Sequence, residues 1–121
     1  MSMFDRIAQT VSYQTLTLDS PVQITIKRLD QIHPHISGNK FFKLKHNLLE
    51  AQKKKTKKII TFGGAYSNHI AAAAYAAHLF GFESIGIIRG EELADKPLNH
   101  TLSKAQQFGM QLQFFSREKY R

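Results

Sequence analysis

The residues best suited to chemistry stand in the run Thr61-Phe62-Gly63-Gly64-Ala65-Tyr66-Ser67-Asn68-His69. A short apolar segment delivers a glycine pair, and a polar turn then opens an Ala-rich stretch. Backbone N–H groups at a helix start lack intrahelical partners and the macrodipole adds partial positive charge there, so such a turn favours an anion. In open α/β sheets ligands collect beyond the carboxyl ends of the strands, where this turn would lie. The same residues also suit a tight turn with an N-cap at Ser67, and the local pattern leaves both readings open. The dinucleotide fingerprint is not matched, because the glycine spacing differs and no acid stands in the expected place.

A second signal is Ser37-Gly38-Asn39-Lys40, where Lys40, Lys43 and Lys45 come early in a helical pattern with no acid among them. Cations are disfavoured in a helix's first turn. A lysine held there and partly withdrawn from water becomes a better nucleophile for Schiff-base chemistry. The alternative is a surface lysine that tolerates a small penalty, since the dipole is worth only ~0.3–1 kcal/mol at exposed sites. The histidines add less. His33 and His35 flank Pro34 with no third ligand signposted and no helical His-x-x-x-His pair, so no metal site is expected. His69 follows Ser67 by two residues, and positions two apart at a helix start point in different directions, which speaks against a Ser–His pair. With no cysteine in the chain, thiolate zinc sites, cysteine nucleophiles and disulfides are excluded.

The elements that must hold these residues can be read from periodicity. Val22 to Lys27 alternates apolar and polar residues, the pattern of a half-buried strand. A Pro-containing connection, Asp30 to Ser37, leads to Gly38, suited to a turn, and Asn39, a plausible N-cap. Phe41, Leu44, Leu48 and Ala51 then recur at helical spacing. Lys58 to Phe62 reads as a strand buried on both faces. Ser67 to Leu79 reads as a helix apolar all round, packed between other elements and closed by Gly81. Ser84 to Arg89 is a further buried strand. A helix over Pro97 to Phe108, with Pro97 at its first position and Gly109 as its stop, precedes a last strand, Gln111 to Phe115. Helices alternating with strands predict an α/β fold, a three-layer parallel sheet flanked by helices.

Length and composition bound the remaining possibilities. The chain has 121 residues, enough for one modest domain, and 42% hydrophobic against 21% charged residues places it among globular proteins. Seventeen Lys and Arg against nine Asp and Glu give a net charge of +8, which raises the question of nucleic acid. The only strong charge run, Lys53 to Lys58, ends a helix, where cations complement the dipole, and no nucleic-acid motif accompanies it. No nucleic-acid partner is therefore expected. No segment approaches the ~20 apolar residues of a membrane helix, and Met1 to Ser20 carries no continuous apolar run, so neither a membrane partner nor a secretory signal is expected. The expected location is cytoplasmic.

Taken together, Ser37-Gly38-Asn39-Lys40 with Lys43-Leu44-Lys45 and Asn47-Leu48, followed by Gly63-Gly64-Ala65-Tyr66-Ser67-Asn68-His69, resemble the 1-aminocyclopropane-1-carboxylate deaminase/D-cysteine desulfhydrase family. The likeness runs from about Val22 to Arg121 and includes Gly81-Phe82-Glu83 and Ile87-Ile88-Arg89-Gly90-Glu91. The resemblance implies a pyridoxal 5'-phosphate enzyme of the tryptophan-synthase-β-like fold, known as fold type II. It implies that Lys40 is the Schiff-base lysine and Ser67 the active-site serine. It further implies that Ser67, Asn68 and His69 receive the substrate carboxylate, with Asn68 near the cofactor's ring hydroxyl. A small amino acid, D-cysteine or 1-aminocyclopropane-1-carboxylate, would become a 2-oxo acid and ammonia.

Two departures accompany the likeness. Phe42 stands where family members often carry Arg. The chain is also less than half the family's length, and the glycine-rich phosphate cup and the partner of the pyridine nitrogen are not visible in it. The expected organisation is an N-terminal portion of such an enzyme, with residues 1–36 joining the large domain and residues 37–121 forming the small α/β domain. A homodimer is expected of the full-length protein. The alternative is a non-catalytic α/β fragment that at most binds a small anion. An incomplete sheet should also expose apolar surface from Ile59, Ile60, Ile87 and Ile88.

Overall fold

A computed structural model describes residues 2–8 and 10–121 of the chain. The centre is a parallel sheet of three strands, β3 (Lys58–Gly64), β4 (Glu83–Arg89) and β5 (Met110–Phe115), in the order β3-β4-β5. The register places Ile60 beside Ile85, Phe62 beside Ile87 and Ile88 beside Phe114. Helix α3 (Asn68–Phe80) links the first two strands and α4 (His100–Gln107) the next two. Parallel neighbours require such crossovers, so the alternation of helix and strand periods in the sequence was already a statement of topology.

Helix α3 lies at the middle of the fold, against α2 (Asn39–Lys53), α4 and the sheet. Ile70 and Ala72, Ala73, Ala74, Ala76 and Ala77 are buried. Alanine makes this possible because a helix with methyl side chains can approach its neighbours closely, although the stripe of Asn68, Ala71, Tyr75 and His78 is exposed or half-buried and so the helix is not enclosed all round. Glycine plays the matching part in the sheet. A Cβ on Gly63 would stand 2.6 Å from Ile70 Cγ1 and 2.9 Å from Ser67 Oγ, and one on Gly86 would stand 2.7 Å from Met110 Sδ. Gly81 ends α3 in the left-handed region at φ 74°, as expected of a helix stop.

Several local expectations are corrected. The alternating segment begins at Ile24, forming β2 (Ile24–Lys27), and is exposed rather than half-buried. It pairs antiparallel with β1 (Tyr13–Leu16), a strand the sequence reading did not anticipate. The N-cap of α2 is Gly38, at φ 65°, and Asn39 is already helical. Pro97 precedes α4 instead of opening it; Asn99 caps that helix, its Oδ1 accepting from the Leu102 N–H at 2.9 Å. Strand β3 is not buried on both faces, because it is an edge strand, with Ile60 and Phe62 58% and 57% exposed on the face away from α3. On that face the short α5 (Arg117–Tyr120) approaches, with Tyr120 edge-on to Phe62 at 6.1 Å. Exposed apolar surface is thus borne out for Ile60, while Ile59 is half-buried against the core and Ile87 and Ile88 are buried.

A further helix, α1 (Met3–Ala8), had not been anticipated either. Ser2 and Asp5 cap each other: Ser2 Oγ donates to Asp5 Oδ2 at 2.6 Å and accepts from the Asp5 N–H at 3.2 Å. The helix buries Phe4, which stacks on Phe80 at 4.9 Å and meets Phe41 edge-on at 5.2 Å. Lys45 of α2 pairs with Asp5 at 2.5 Å. That ammonium, together with Ser2, holds the Asp5 carboxyl well below the usual carboxylate range.

Candidate active site

Lys40 owes its place to the segment before it. The loop from Leu29 to Gly38 is closed by the Gly38 N–H donating to the Leu29 carbonyl at 2.8 Å, and Ile32 and Ile36 anchor it in the core. Inside the loop, His33 Nδ1 accepts from the N–H groups of His35 at 3.1 Å and Ile36 at 3.3 Å. Helix α2 then starts at once, because Gly38 supplies a φ that a side chain resists. Lys40 is half-buried in the first turn of α2, with its Nζ donating to the neutral Asn39 Oδ1 at 2.9 Å. Phe42, at the position where the family often carries Arg, leans on Phe41 and lies under the Lys27 ammonium at 6.0 Å.

The second motif forms a sharp turn between β3 and α3, in which the Ser67 N–H donates to the Gly64 carbonyl at 3.1 Å. Ser67 is at the N-cap position, but its hydroxyl makes no cap bond and sits over Gly63. The amides of Asn68 and His69 accordingly have no hydrogen-bond partner among the described residues. They are free donors of the kind an anion uses. Asn99 holds the turn from the other side, its Nδ2 donating to the Ala65 carbonyl at 2.9 Å.

The residues singled out from the sequence are not gathered at one point. Successive positions on a helix are rotated by about 100°, so Asn68 and His69 diverge. Asn68 lines a cavity of about 220 Å³ shared with the Pro34–Ser37 turn and α4. His69 lines another of about 330 Å³ between α2 and β3. Its Nε2 lies 2.7 Å from Thr61 Oγ1, so His69 pairs with β3 and not with Ser67, as the two-residue spacing implied. Burial lowers the His69 pKa, and the positive charges of Lys40 and Lys43 lower it further. That coupling brings the α2 lysines and the α3 start into one electrostatic neighbourhood.

Sequence reasoning included Thr61 in the motif without foreseeing its bond to His69, and it missed Asn99. Thr61 is the lone hydroxyl in an apolar strand, a detectable signal, whereas nothing local ties Asn99 to Ala65.

A three-strand parallel sheet flanked by helices, with an uncapped turn at the carboxyl end of β3, places the chain in the α/β class. Among solved structures, one titled as an ACC deaminase homologue superposes with a TM-score of 0.71 at 24% identity, covering 95% of this chain and 38% of that one. A hydrogen sulfide-producing enzyme from Fusobacterium nucleatum follows the same fold at a TM-score of 0.66 and 14% identity, covering 92% of this chain and 36% of that one.

Within that class, the chain's sequence relatives are 1-aminocyclopropane-1-carboxylate deaminase and D-cysteine desulfhydrase proteins, as its motifs implied. A Thermotoga maritima protein provisionally named 1-aminocyclopropane-1-carboxylate deaminase is 36% identical over 97 residues, covering 80% of this chain and 30% of the relative. The mitochondrial bifunctional D-cysteine desulfhydrase/1-aminocyclopropane-1-carboxylate deaminase of Arabidopsis thaliana is 32% identical over 106 residues, covering 85% and 26%. The chain thus spans under a third of these relatives' length. No family model matches it. Among the described residues, no helix is long and apolar enough to cross a membrane.

Proposed function

We propose that this chain contributes the lysine and the substrate turn of a pyridoxal-phosphate enzyme that converts a small amino acid, D-cysteine or 1-aminocyclopropane-1-carboxylate, to a 2-oxo acid and ammonia. The observation that carries the reading is the pairing of two helix starts: Lys40 in the first turn of α2, and an uncapped turn at Ser67 to His69. The residues fit the cofactor in chemical terms. Lys40 meets an amide oxygen and is in none of the ion pairs of the described residues, so its amine is available to a carbonyl group. When bound, pyridoxal phosphate supplies an electron sink for charge developing at the substrate α-carbon.

The chain's own residues do the remainder. Lys40 would hold the cofactor through Nζ, and its amine would move the α-proton of a D-cysteine-like substrate. The substrate 1-aminocyclopropane-1-carboxylate has no α-proton, so its ring opening would start by another route, with Ser67 as the proton-moving group of this chain. The free N–H groups of Asn68 and His69 bind the substrate carboxylate, and Ser67 Oγ stands beside them as a proton-holding group. Asn68 would orient the cofactor through its ring hydroxyl. His69 in its neutral form keeps its bond to Thr61 and so fixes the start of α3. Residues 37–121 form the catalytic small domain in this reading, residues 1–36 join it to a larger one, and the full-length enzyme is a homodimer.

The test is to add pyridoxal phosphate to the purified chain, reduce with borohydride and map the modified lysine by mass spectrometry. Selective labelling of Lys40, lost in Lys40→Ala, is expected. Labelling scattered over the lysines in proportion to their exposure would overturn the assignment.

A further inference from the structure

The cavity between α3 and α4 shares Asn68 with the reaction above, but its other polar residues take no part in that reaction. Its walls come from three separate segments: Ser37 from the turn before α2, Asn68 from α3, and Thr101 and Lys104 from α4. Phe108, with His35 edge-on to it at 5.4 Å, closes one side. Within α4, Thr101, Lys104 and Phe108 fall at spacings of three and four and therefore share one face. Opposite them α3 presents only Ala71 and Ala72 beyond Asn68, and small side chains leave the space open.

The charge in this space is one-sided. No Asp or Glu lines it, and Lys104 takes part in none of the ion pairs of the described residues. The Ser37 and Thr101 hydroxyls and the Asn68 carboxamide likewise have no hydrogen-bond partner among those residues. A volume of about 220 Å³ suits a small group and not a nucleotide. The walls are also fixed relative to each other, because Asn99 caps α4 through Oδ1 and grips the Ala65 carbonyl ahead of α3 through Nδ2, both at 2.9 Å.

We propose that this cleft is a binding site for a small oxyanion, a carboxylate or phosphate group, neutralised by Lys104 and hydrogen-bonded by Ser37, Asn68 and Thr101. A cation is disfavoured by the missing acids, and an apolar ligand would cover the half-buried Thr101 and Lys104 without pairing them. The site does not depend on the cofactor assignment, although Asn68 borders both.

The experiment is a titration of the ¹⁵N-labelled full chain with inorganic phosphate and, separately, with acetate, at constant ionic strength. Saturable shifts of the Thr101 and Lys104 amides are expected, and these lie outside the Ser67–His69 turn. Lys104→Met should weaken binding at least about tenfold, the loss typical of a hydrogen bond to a charged group. Lys53→Met, which removes the same charge from the end of α2, should leave it unchanged. Ala71→Leu fills the cleft without altering charge and should abolish the shifts while the melting transition persists. Saturation by phosphate alone assigns a phosphate ligand, and saturation by acetate alone a carboxylate. Absence of saturable shifts, or equal weakening by Lys104→Met and Lys53→Met, overturns the site. Borohydride trapping at Lys40 reads neither outcome, so the two proposals fail independently.

Discussion

Thr61 Oγ1 and His69 Nε2 stand 2.7 Å apart, joining the middle of β3 to the first turn of α3. The bond crosses the turn that carries Ser67 and sets the angle at which α3 leaves the sheet. Thr61→Val keeps the shape and removes the partner, leaving a half-buried imidazole nitrogen unsatisfied. A loss of about 1–3 kcal/mol in unfolding free energy is expected, measured by denaturant titration. A variant as stable as the parent would show that water replaces Thr61 without cost.

His33 and His69 both carry lowered pKa values. Burial is the main cause in each, with the charge of His35 adding to it at His33 and those of Lys40 and Lys43 at His69. For a histidine whose folded pKa is depressed, stability is complete above the unfolded value of about 6.5 and falls as pH drops toward the folded pKa. In that window the unfolded chain takes up protons that the folded chain refuses. Protonation of His33 Nδ1 would also end its acceptance of two N–H groups. The melting temperature should therefore fall between pH 7 and pH 5, with a shallower slope in His33→Gln. A flat profile across that window would contradict the coupling.

Gly63 and Gly64 adjoin in sequence but should respond in opposite ways. A methyl on Gly63 enters the space of Ile70 and Ser67, whereas nothing lies within 4 Å of one on Gly64. Gly63→Ala should cost about 1–3 kcal/mol through overpacking. Gly64→Ala should be neutral or slightly stabilising, since it restricts the unfolded chain. Equal melting temperatures for the two variants would refute the close approach of α3 to β3.

Asn99 serves two segments with one side chain, capping α4 and holding Ala65. Asn99→Asp retains the cap acceptor but loses the donor, and Asn99→Ala loses both. The expected order of stability is parent, then Asp, then Ala, with the Ala variant about 1–2 kcal/mol below the parent. Thermal melts decide the order. If Asp matched the parent, the Ala65 contact would contribute nothing.

Ile60 and Phe62 present an apolar pair on the open face of the sheet's edge strand. Unpaired edges and apolar patches promote association between copies. The bare chain should self-associate in sedimentation experiments, and Ile60→Thr with Phe62→Thr should shift it toward monomer. A parent chain that is monomeric at all accessible concentrations would refute this.

The elements from α2 onward were legible because their apolar periods are long and each is punctuated locally. Gly38 and Gly81 do take positive φ, and the apolar α3 is largely buried, with the stripe of Asn68, Ala71, Tyr75 and His78 left exposed or half-buried. The two motifs and the class of chemistry they imply also lie within short stretches, where residue type and order carry the information. Tertiary structure alone decided what depends on neighbours distant in sequence. β3 reads as a buried strand, yet its place at the sheet edge leaves Ile60 and Phe62 bare. A six-residue helix is marginal by itself, and α1, unread in the sequence, owes its place to Phe4 filling the space between Phe41 and Phe80. Asn68 and His69 share a motif and yet face different cavities, because the helix turns about 100° between them and separate elements wait on each side. Local sequence sets the conformations available to each segment, and long-range packing selects which side chains meet.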